Sequence, residues 1–99
     1  MLTIMGYRIS ERALRAGRDA IAEQTRSFPA TPIGRAMAPH IRQSKDAWPG
    51  MTIKQAAEAA AEDLLWREAK AGRIEPTGTW LNRQYWRRVK APPTERNHG

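Results

Sequence analysis

The stretch that decides the fold covers residues 52–89, and reads TIKQAAEAAAEDLLWREAKAG (52–72) followed by RIEPTGTWLNRQYWRRV (73–89). Its first part has no Gly or Pro between Ile53 and Ala71 and consists mostly of good helix formers. Thr52 and Gln55 have the spacing of a capping box, and Gly72 suits the left-handed position that follows a helix. The sequence therefore predicts one long helix over 53–71, which ends at Gly72.

The second part of this stretch predicts a β-hairpin. Residues 73–77 resemble a short strand that Pro76 ends or restricts to a sheet edge, because proline cannot donate to a strand ladder. Residues 78–83 supply a turn. Residues 84–90 alternate in side-chain character and are rich in aromatic side chains, which favours a second strand.

The N-terminal half predicts two more helices. Residues 1–8 form a strand or an extended apolar arm, and Ser10 is a candidate N-cap for a first helix over 11–27. Gly17 disfavours a helix interior, so we expect it to mark a close helix crossing. After a break at 28–32, Thr31 and Pro32 resemble an N-cap and a first helical residue.

Pro39 complicates this second helical segment, because a proline disfavours helical geometry at the residue before it. One kinked helix and two short pieces, 32–38 and 39–44, both fit the pattern. The fold class that follows is mainly α with a small C-terminal β-hairpin (α+β), in a single small domain over 1–90. The polar, proline-containing residues 91–99 (APPTERNHG) predict a disordered tail.

The charge of the chain favours an anionic partner. Its 99 residues include 17 Lys and Arg against 10 Asp and Glu, for a net charge of +7. By segment, 73–99 carries +4, whereas the long helical segment 52–72 carries −1. Such an excess is typical of proteins that bind nucleic acid or acidic proteins, although a merely solvated basic surface is the alternative.

Composition also predicts what the protein lacks. There is no cysteine, which excludes disulfides and Cys-ligated zinc, and no apolar run long enough to span a bilayer. The N-terminus has no extended apolar stretch of the secretory kind. We therefore expect an intracellular, cytoplasmic protein with no membrane partner.

The order of helix, proline-broken helix, long helix and basic hairpin resembles the winged helix-turn-helix modules. The residues that carry the resemblance span 31–89: Leu64, Leu65, Gly72, Arg73, Ile74 and the strand QYWRRV at 84–89. The resemblance implies three helices plus a wing, duplex-DNA binding, and a role as a transcriptional regulator or accessory factor. A homodimer could supply apolar burial that an alanine-rich core lacks.

One departure from that family changes the expected contacts. In the family, the helix before the wing usually enters the major groove, but here it carries four carboxylates, which are unfavourable beside phosphates. We therefore expect the main contacts to come from the wing and from the second helical segment, with only the first turn of the long helix near the DNA. The candidate nucleic-acid-binding residues are Arg35, Arg42, Lys45, Lys54, Gln55, Arg73, Arg83, Arg87, Arg88 and Lys90.

Aromatic residues near the C-terminus are also compatible with single-stranded nucleic acid as the partner. Trp80, Tyr85 and Trp86 could stack on the bases of RNA or single-stranded DNA, which would favour a single-strand binder. The same side chains could instead fill the core of an alanine-rich domain. Ahead of the single-strand binder, the first alternative to DNA binding is a protein-interaction module, an inhibitor or adaptor, that docks on an acidic partner.

Catalytic and cofactor motifs are missing from the sequence. The only histidines are His40 and His98, and no HExxH, P-loop, GxGxxG or Cys/His ligand set occurs. Glu58, Glu62 and Asp63 fit the solvated face of an alanine-rich helix better than a catalytic carboxylate pair. We therefore expect no enzyme activity, no cofactor and no metal site.

Overall fold

The computed structural model of the protein describes residues 2–89, which form three helices and two antiparallel hairpins. Lys90 and the predicted tail at 91–99 lie outside the described residues. The predicted α+β class, with three helices followed by a C-terminal hairpin, is confirmed. In chain order the elements are β1 Leu2–Ile4, β2 Tyr7–Ile9, α1 Glu11–Ala22, α2 Thr31–Met37, a 3₁₀ turn Ala38–His40, α3 Ile53–Lys70, β3 Ile74–Trp80 and β4 Arg83–Arg88.

Both ends of α3 form as its sequence predicts. The Thr52 hydroxyl accepts a hydrogen bond from the Gln55 backbone N–H at 3.2 Å, and the Gln55 side chain accepts one from the Thr52 N–H at 2.9 Å. At the other end Gly72 has a φ of +82°. Its N–H bonds to the Ala69 carbonyl and the Arg73 N–H to the Glu68 carbonyl, which together make a Schellman motif.

The core lies where α1 and α2 pack on α3. The buried face of α3 is mostly alanine, so the neighbouring elements approach closely and supply the larger side chains, among them Ile33, Met37 and Phe28. A Cβ atom on Gly17 would lie only 2.6 Å from Cδ2 of Leu64 and 2.8 Å from Sδ of Met37. The prediction that Gly17 marks a close crossing is confirmed.

Helix α1 is shorter than predicted, ending at Ala22 instead of near Ser27. The reason is a contact with the C-terminal hairpin. Phe28 and Trp86 exchange two backbone hydrogen bonds of 2.8 Å, which requires residue 28 to be extended and next to β4. Ser10 does cap the helix, its hydroxyl accepting from the Ala13 N–H at 3.1 Å.

The second helical segment departs from prediction at both ends. Ala30 occupies the N-cap position of α2, so Thr31 is the first helical residue and its side chain makes no cap bond. Pro39 does not start a second α-helical piece. At Pro39, which cannot donate the backbone hydrogen bond that would continue α2, the chain passes into the 3₁₀ turn, and it leaves helical geometry at Ile41.

Residues 2–9, predicted as a strand or an arm, form a hairpin on their own. Met5 and Gly6 make its turn, both with positive φ. The second strand alternates, with Tyr7 and Ile9 fully buried and Arg8 exposed between them. The buried pair joins this hairpin to the core and leaves Arg8 at the surface.

The turn of the C-terminal hairpin is shorter than the predicted 78–83. Trp80 pairs with Arg83, so Leu81 and Asn82 alone form the turn, and their φ values of 50° and 62° fit a type I′ turn. Gly78 is part of β3 and pairs with Tyr85, and the strand register shifts between Pro76 and Gly78, where Thr77 has no partner on β4. The left-handed conformation suits Asn82, but it costs about 1 kcal/mol or more at a leucine.

Candidate nucleic-acid interface

A basic cleft lies between the N-terminal hairpin, the start of α1 and the loop after the 3₁₀ turn. Its volume is about 760 Å³. Four of its side chains are cationic and exposed, whereas only one is a carboxylate. The lining residues are Arg8, Ser10, Arg12, Pro39, His40, Arg42, Gln43, Ser44, Lys45 and Asp46.

Hydrogen bonds hold the walls of the cleft together at one side. The Ser44 hydroxyl donates to the Gly6 carbonyl at 2.9 Å and accepts from the Asp46 N–H at 3.1 Å. The Trp48 N–H donates to the Met5 carbonyl at 3.0 Å. A Cβ on Gly6 would lie 2.0 Å from the Asp46 carbonyl oxygen, so only glycine allows this approach of the loop to the hairpin.

The opposite side of the cleft is joined at the start of α1. Ser10 caps this helix and also donates its hydroxyl hydrogen to the His40 carbonyl at 3.4 Å. Arg8 on β2 and Arg12 in the first turn of α1 therefore face the same cleft as Arg42 and Lys45 from the loop. The fold brings together two pairs of cations that are far apart in the sequence.

None of these four cations has an ion-pair partner among residues 2–89. The ion pairs within that range are Arg67 with Asp63, Arg73 with Glu68 and Arg87 with Glu75. Asp46 also lines the cleft but forms no ion pair with any of these four cations. Four exposed cations against one carboxylate leave an excess of positive charge in the cleft, which favours binding of an anion.

The cleft includes two of the sequence-predicted site residues, Arg42 and Lys45, and excludes the others. Arg35 lies exposed in the last turn of α2. Lys54 and Gln55 lie exposed in the first turn of α3, where the Gln55 side chain is already engaged in the capping box. Arg8 and Arg12 were not predicted. Two local signals place these side chains at the surface. Arg8 lies between the apolar Tyr7 and Ile9 in an alternating strand, and Arg12 follows shortly after the Ser10 cap.

Two arginines of the C-terminal hairpin pair with the protein's own carboxylates. Nε and Nη2 of Arg73 donate to the two Glu68 carboxylate oxygens at 3.0 and 2.9 Å. The Schellman motif explains this pair, because it brings residue 73 back over residue 68. The hydrogen bonds that Arg73 donates to Glu68, and then the negative charge of Glu68, raise the pKa of Arg73 further above its ordinary value.

The Arg87 pair follows from the strand register. Arg87 lies opposite Glu75 on the neighbouring strand, and its Nε is 2.5 Å from the Glu75 carboxylate. Such cross-strand pairs of opposite charge stabilise a hairpin modestly. Both Arg73 and Arg87 therefore have part of their charge neutralised before any ligand binds.

The other two hairpin arginines bind neutral oxygens. Nη1 of Arg88 donates to the Ala22 carbonyl at 2.5 Å and to the Gln24 carbonyl at 3.3 Å, so it binds carbonyls at the C-terminal end of α1. Nη1 of Arg83 donates to the Thr31 hydroxyl. A guanidinium group has five N–H donors, so both side chains retain donors for a ligand.

The predicted stacking residues separate into a buried and an exposed group. Trp86 is 1% exposed and packs edge-to-face against Trp66, with ring centroids 4.6 Å apart. Because its ring has no free face, Trp86 cannot stack on a base in this structure, which corrects its inclusion among the stacking candidates. Trp80 is 64% exposed and contacts Tyr85 edge-to-face at 6.3 Å.

The comparisons with known proteins give no relative. No protein-family model, curated protein or solved structure matches the chain. None of the helices in residues 2–89 has the length and apolar character that crossing a membrane requires. Within the same residues, no group of three or more His, Cys, Asp or Glu side chains could hold a metal ion.

Proposed function

We propose that the protein is a small DNA-binding protein, a transcriptional regulator or accessory factor, that binds duplex DNA through the basic cleft. The C-terminal hairpin acts as a wing in a winged-helix-like arrangement. One observation carries the proposal: Arg8, Arg12, Arg42 and Lys45 share one exposed cleft and have no ion-pair partner within residues 2–89.

The chemistry of the cleft suits a phosphate backbone. Each cation that pairs with a phosphate releases condensed counterions, and this release provides much of the free energy of DNA binding at moderate salt. Arginine, which supplies three of the four cations, donates two parallel hydrogen bonds to phosphate oxygens. Gln43 adds a neutral amide donor of the kind that positions a protein on a duplex, whereas the hydroxyl hydrogens of Ser10 and Ser44 are already donated to backbone carbonyls.

The cleft and the base of the C-terminal hairpin lie at opposite ends of α1. The cleft includes the Ser10 cap at the start of α1, whereas Arg88 binds carbonyls at the other end of the same helix. Twelve residues of α-helix span about 18 Å, roughly half a turn of B-form DNA. A duplex that lies alongside α1 is long enough to contact both the cleft and the hairpin.

The order of the elements is compatible with a winged-helix-like arrangement, but the negative charge of α3 limits how much of that helix can contact DNA. Three helices followed by an antiparallel hairpin is the order on which the winged-helix resemblance rests. The exposed Glu62 and the half-buried Glu58 and Asp63 make most of α3 unfavourable beside phosphates. We therefore place only Lys54 and Gln55 of this helix near the DNA, with Arg35 and the hairpin arginines as secondary contacts.

A single-strand binder is the second candidate, and the exposed Trp80 is the observation that favours it. An exposed indole supported by Tyr85 is a suitable platform for a nucleobase. In this alternative the cleft would hold the same backbone phosphates, so duplex and single strand must be compared directly.

Titration of the unmodified protein against both nucleic acids tests the proposal. We expect a fluorescently labelled duplex to bind with log K falling linearly as log salt rises, with a slope of about −3.6 if each cleft cation contacts one phosphate. Fluorescence anisotropy at several salt concentrations measures this slope. Stronger binding to the single strand of the same sequence would favour the second candidate, and no binding of either at about 50 mM salt would favour docking on an acidic protein.

A further inference from the structure

The tip of the C-terminal hairpin exposes two apolar side chains next to each other. Leu81 is 73% exposed and Trp80 is 64% exposed. These are the two largest exposed fractions among the large apolar side chains in residues 2–89. Exposed apolar residues that are scattered singly need no explanation, but adjacent ones at the end of a projecting hairpin indicate a contact surface.

Neither local conformation nor packing favours leucine at position 81. The type I′ turn requires positive φ at both central residues, for which Asn, Asp and Gly are the preferred types. Asn82 meets this preference and Leu81 does not. Because the Leu81 side chain is also exposed, burial within the protein does not offset its unfavourable backbone conformation, and such strain is characteristic of functional positions.

Contacts along the hairpin brace this tip. The Gln84 side chain donates to the Gly78 carbonyl at 2.9 Å and to the Tyr85 carbonyl at 2.8 Å. Ser27 donates to the Thr77 hydroxyl at 3.2 Å, and Arg83 binds Thr31, so the hairpin is fixed to the segment after α1 and to the first residue of α2. These contacts restrict movement of the tip relative to the helices, so the tip can keep its position when it contacts a ligand.

We propose that Leu81 is a wedge that inserts between adjacent base pairs from the minor groove and bends the duplex. This inference rests on the proposed DNA binding. Proteins that kink DNA from the minor groove use apolar wedges such as leucine, and insertion there would remove Leu81 from water. The minor groove is about 6 Å wide, so the hairpin would stay at its edge and only a side chain at the tip, here Leu81, would enter it.

The charge next to the tip selects DNA over an apolar protein surface or a lipid interior. Arg83 follows the turn directly, and residues 73–89 carry four arginines against the single carboxylate of Glu75. As the wedge enters the groove, the free guanidinium donors of Arg83 come within reach of the phosphates that flank it. Arg73 and Arg87 already have carboxylate partners, but an apolar occupant would leave Arg83 beside the tip without a counter-charge.

Two substitutions at position 81 separate the wedge from the fold. Leu81→Asn removes the apolar side chain and places a residue that tolerates the left-handed conformation, so the hairpin should be at least as stable as before. Leu81→Met keeps a flexible apolar side chain of similar size. The two variants therefore differ in the wedge, while both retain every cation of the protein.

The experiment is resonance energy transfer between dyes at the two ends of a duplex, together with fluorescence of a 2-aminopurine placed at a flexible TA step. We expect the unmodified protein and Leu81→Met to raise both signals, and Leu81→Asn to lose both rises while it keeps the same salt slope of binding. A duplex that stays straight on binding the unmodified protein, or bends equally with Leu81→Asn, would overturn the wedge alone. Failure of the unmodified protein to bind duplex at all would overturn the proposed function and the wedge with it.

Discussion

Replacing Arg42 and Lys45 together with alanine is expected to weaken duplex binding by roughly 100-fold at about 0.1 M monovalent salt. Each of the two cations would release about one counterion on pairing with a phosphate, so the salt slope should become shallower by about 2. Both side chains are exposed and have no ion-pair partner within residues 2–89, so the free energy of unfolding should change by less than about 0.5 kcal/mol. Anisotropy titrations give the slope, and urea denaturation checks the fold.

The matched control is the double substitution of Arg67 and Lys70 with alanine. It also removes one arginine and one lysine charge, but from the exposed side of α3, where Arg67 is already paired with Asp63 at 2.7 Å. Only the long-range field of the protein should change, so we expect a loss of no more than about threefold. An equal loss in both double variants would show that net charge, and not the cleft, determines affinity.

The second large effect concerns stability. Replacing Trp86 with alanine is expected to lower the free energy of unfolding by about 3–5 kcal/mol. Its ring is 1% exposed, and its backbone joins β4 to Phe28 through two hydrogen bonds. Loss of the ring would leave a cavity beside Trp66 at the point where the hairpin meets the helices.

Urea denaturation followed by far-UV circular dichroism measures this change. Trp48→Ala is the control, because that indole is 58% exposed and should contribute less than about 1 kcal/mol. Similar destabilisation by the two substitutions would contradict the assignment of Trp86 to the core. Since small domains have a total stability of about 5–15 kcal/mol, the Trp86 variant could unfold near room temperature.

The parts of the fold that the sequence predicts well are those determined by neighbouring residues. The Thr52–Gln55 capping box and the Gly72 stop each depend on a few adjacent positions, and both form as expected. The close helix approach at Gly17 could be predicted because glycine is unfavourable inside a helix, so its presence there indicates a position with no room for a side chain. The ion pair between Arg73 and Glu68 also depends only on neighbouring residues, because a Schellman motif brings these two positions together. This pair was not predicted from the sequence.

The parts that the sequence did not predict depend on contacts between distant segments. Whether α1 ends at Ala22 or near Ser27 is decided by the backbone pairing of Phe28 with Trp86. The basic cleft combines Arg8 and Arg12 with Arg42 and Lys45, and no pattern within either segment indicates the other. The alternation along β4 shows that Tyr85 and Trp86 face opposite ways, but not which of them is buried.

The most direct test of the central claim is to map the bound duplex on the protein by NMR. Amide chemical shifts of ¹⁵N-labelled protein are followed as an unlabelled duplex is added. We predict that the largest changes occur at Arg8, Arg12, Arg42 and Lys45, with a second group at the hairpin tip. Changes confined to the exposed Trp66 face of α3, with the cleft amides unmoved, would contradict the cleft as the site of DNA binding.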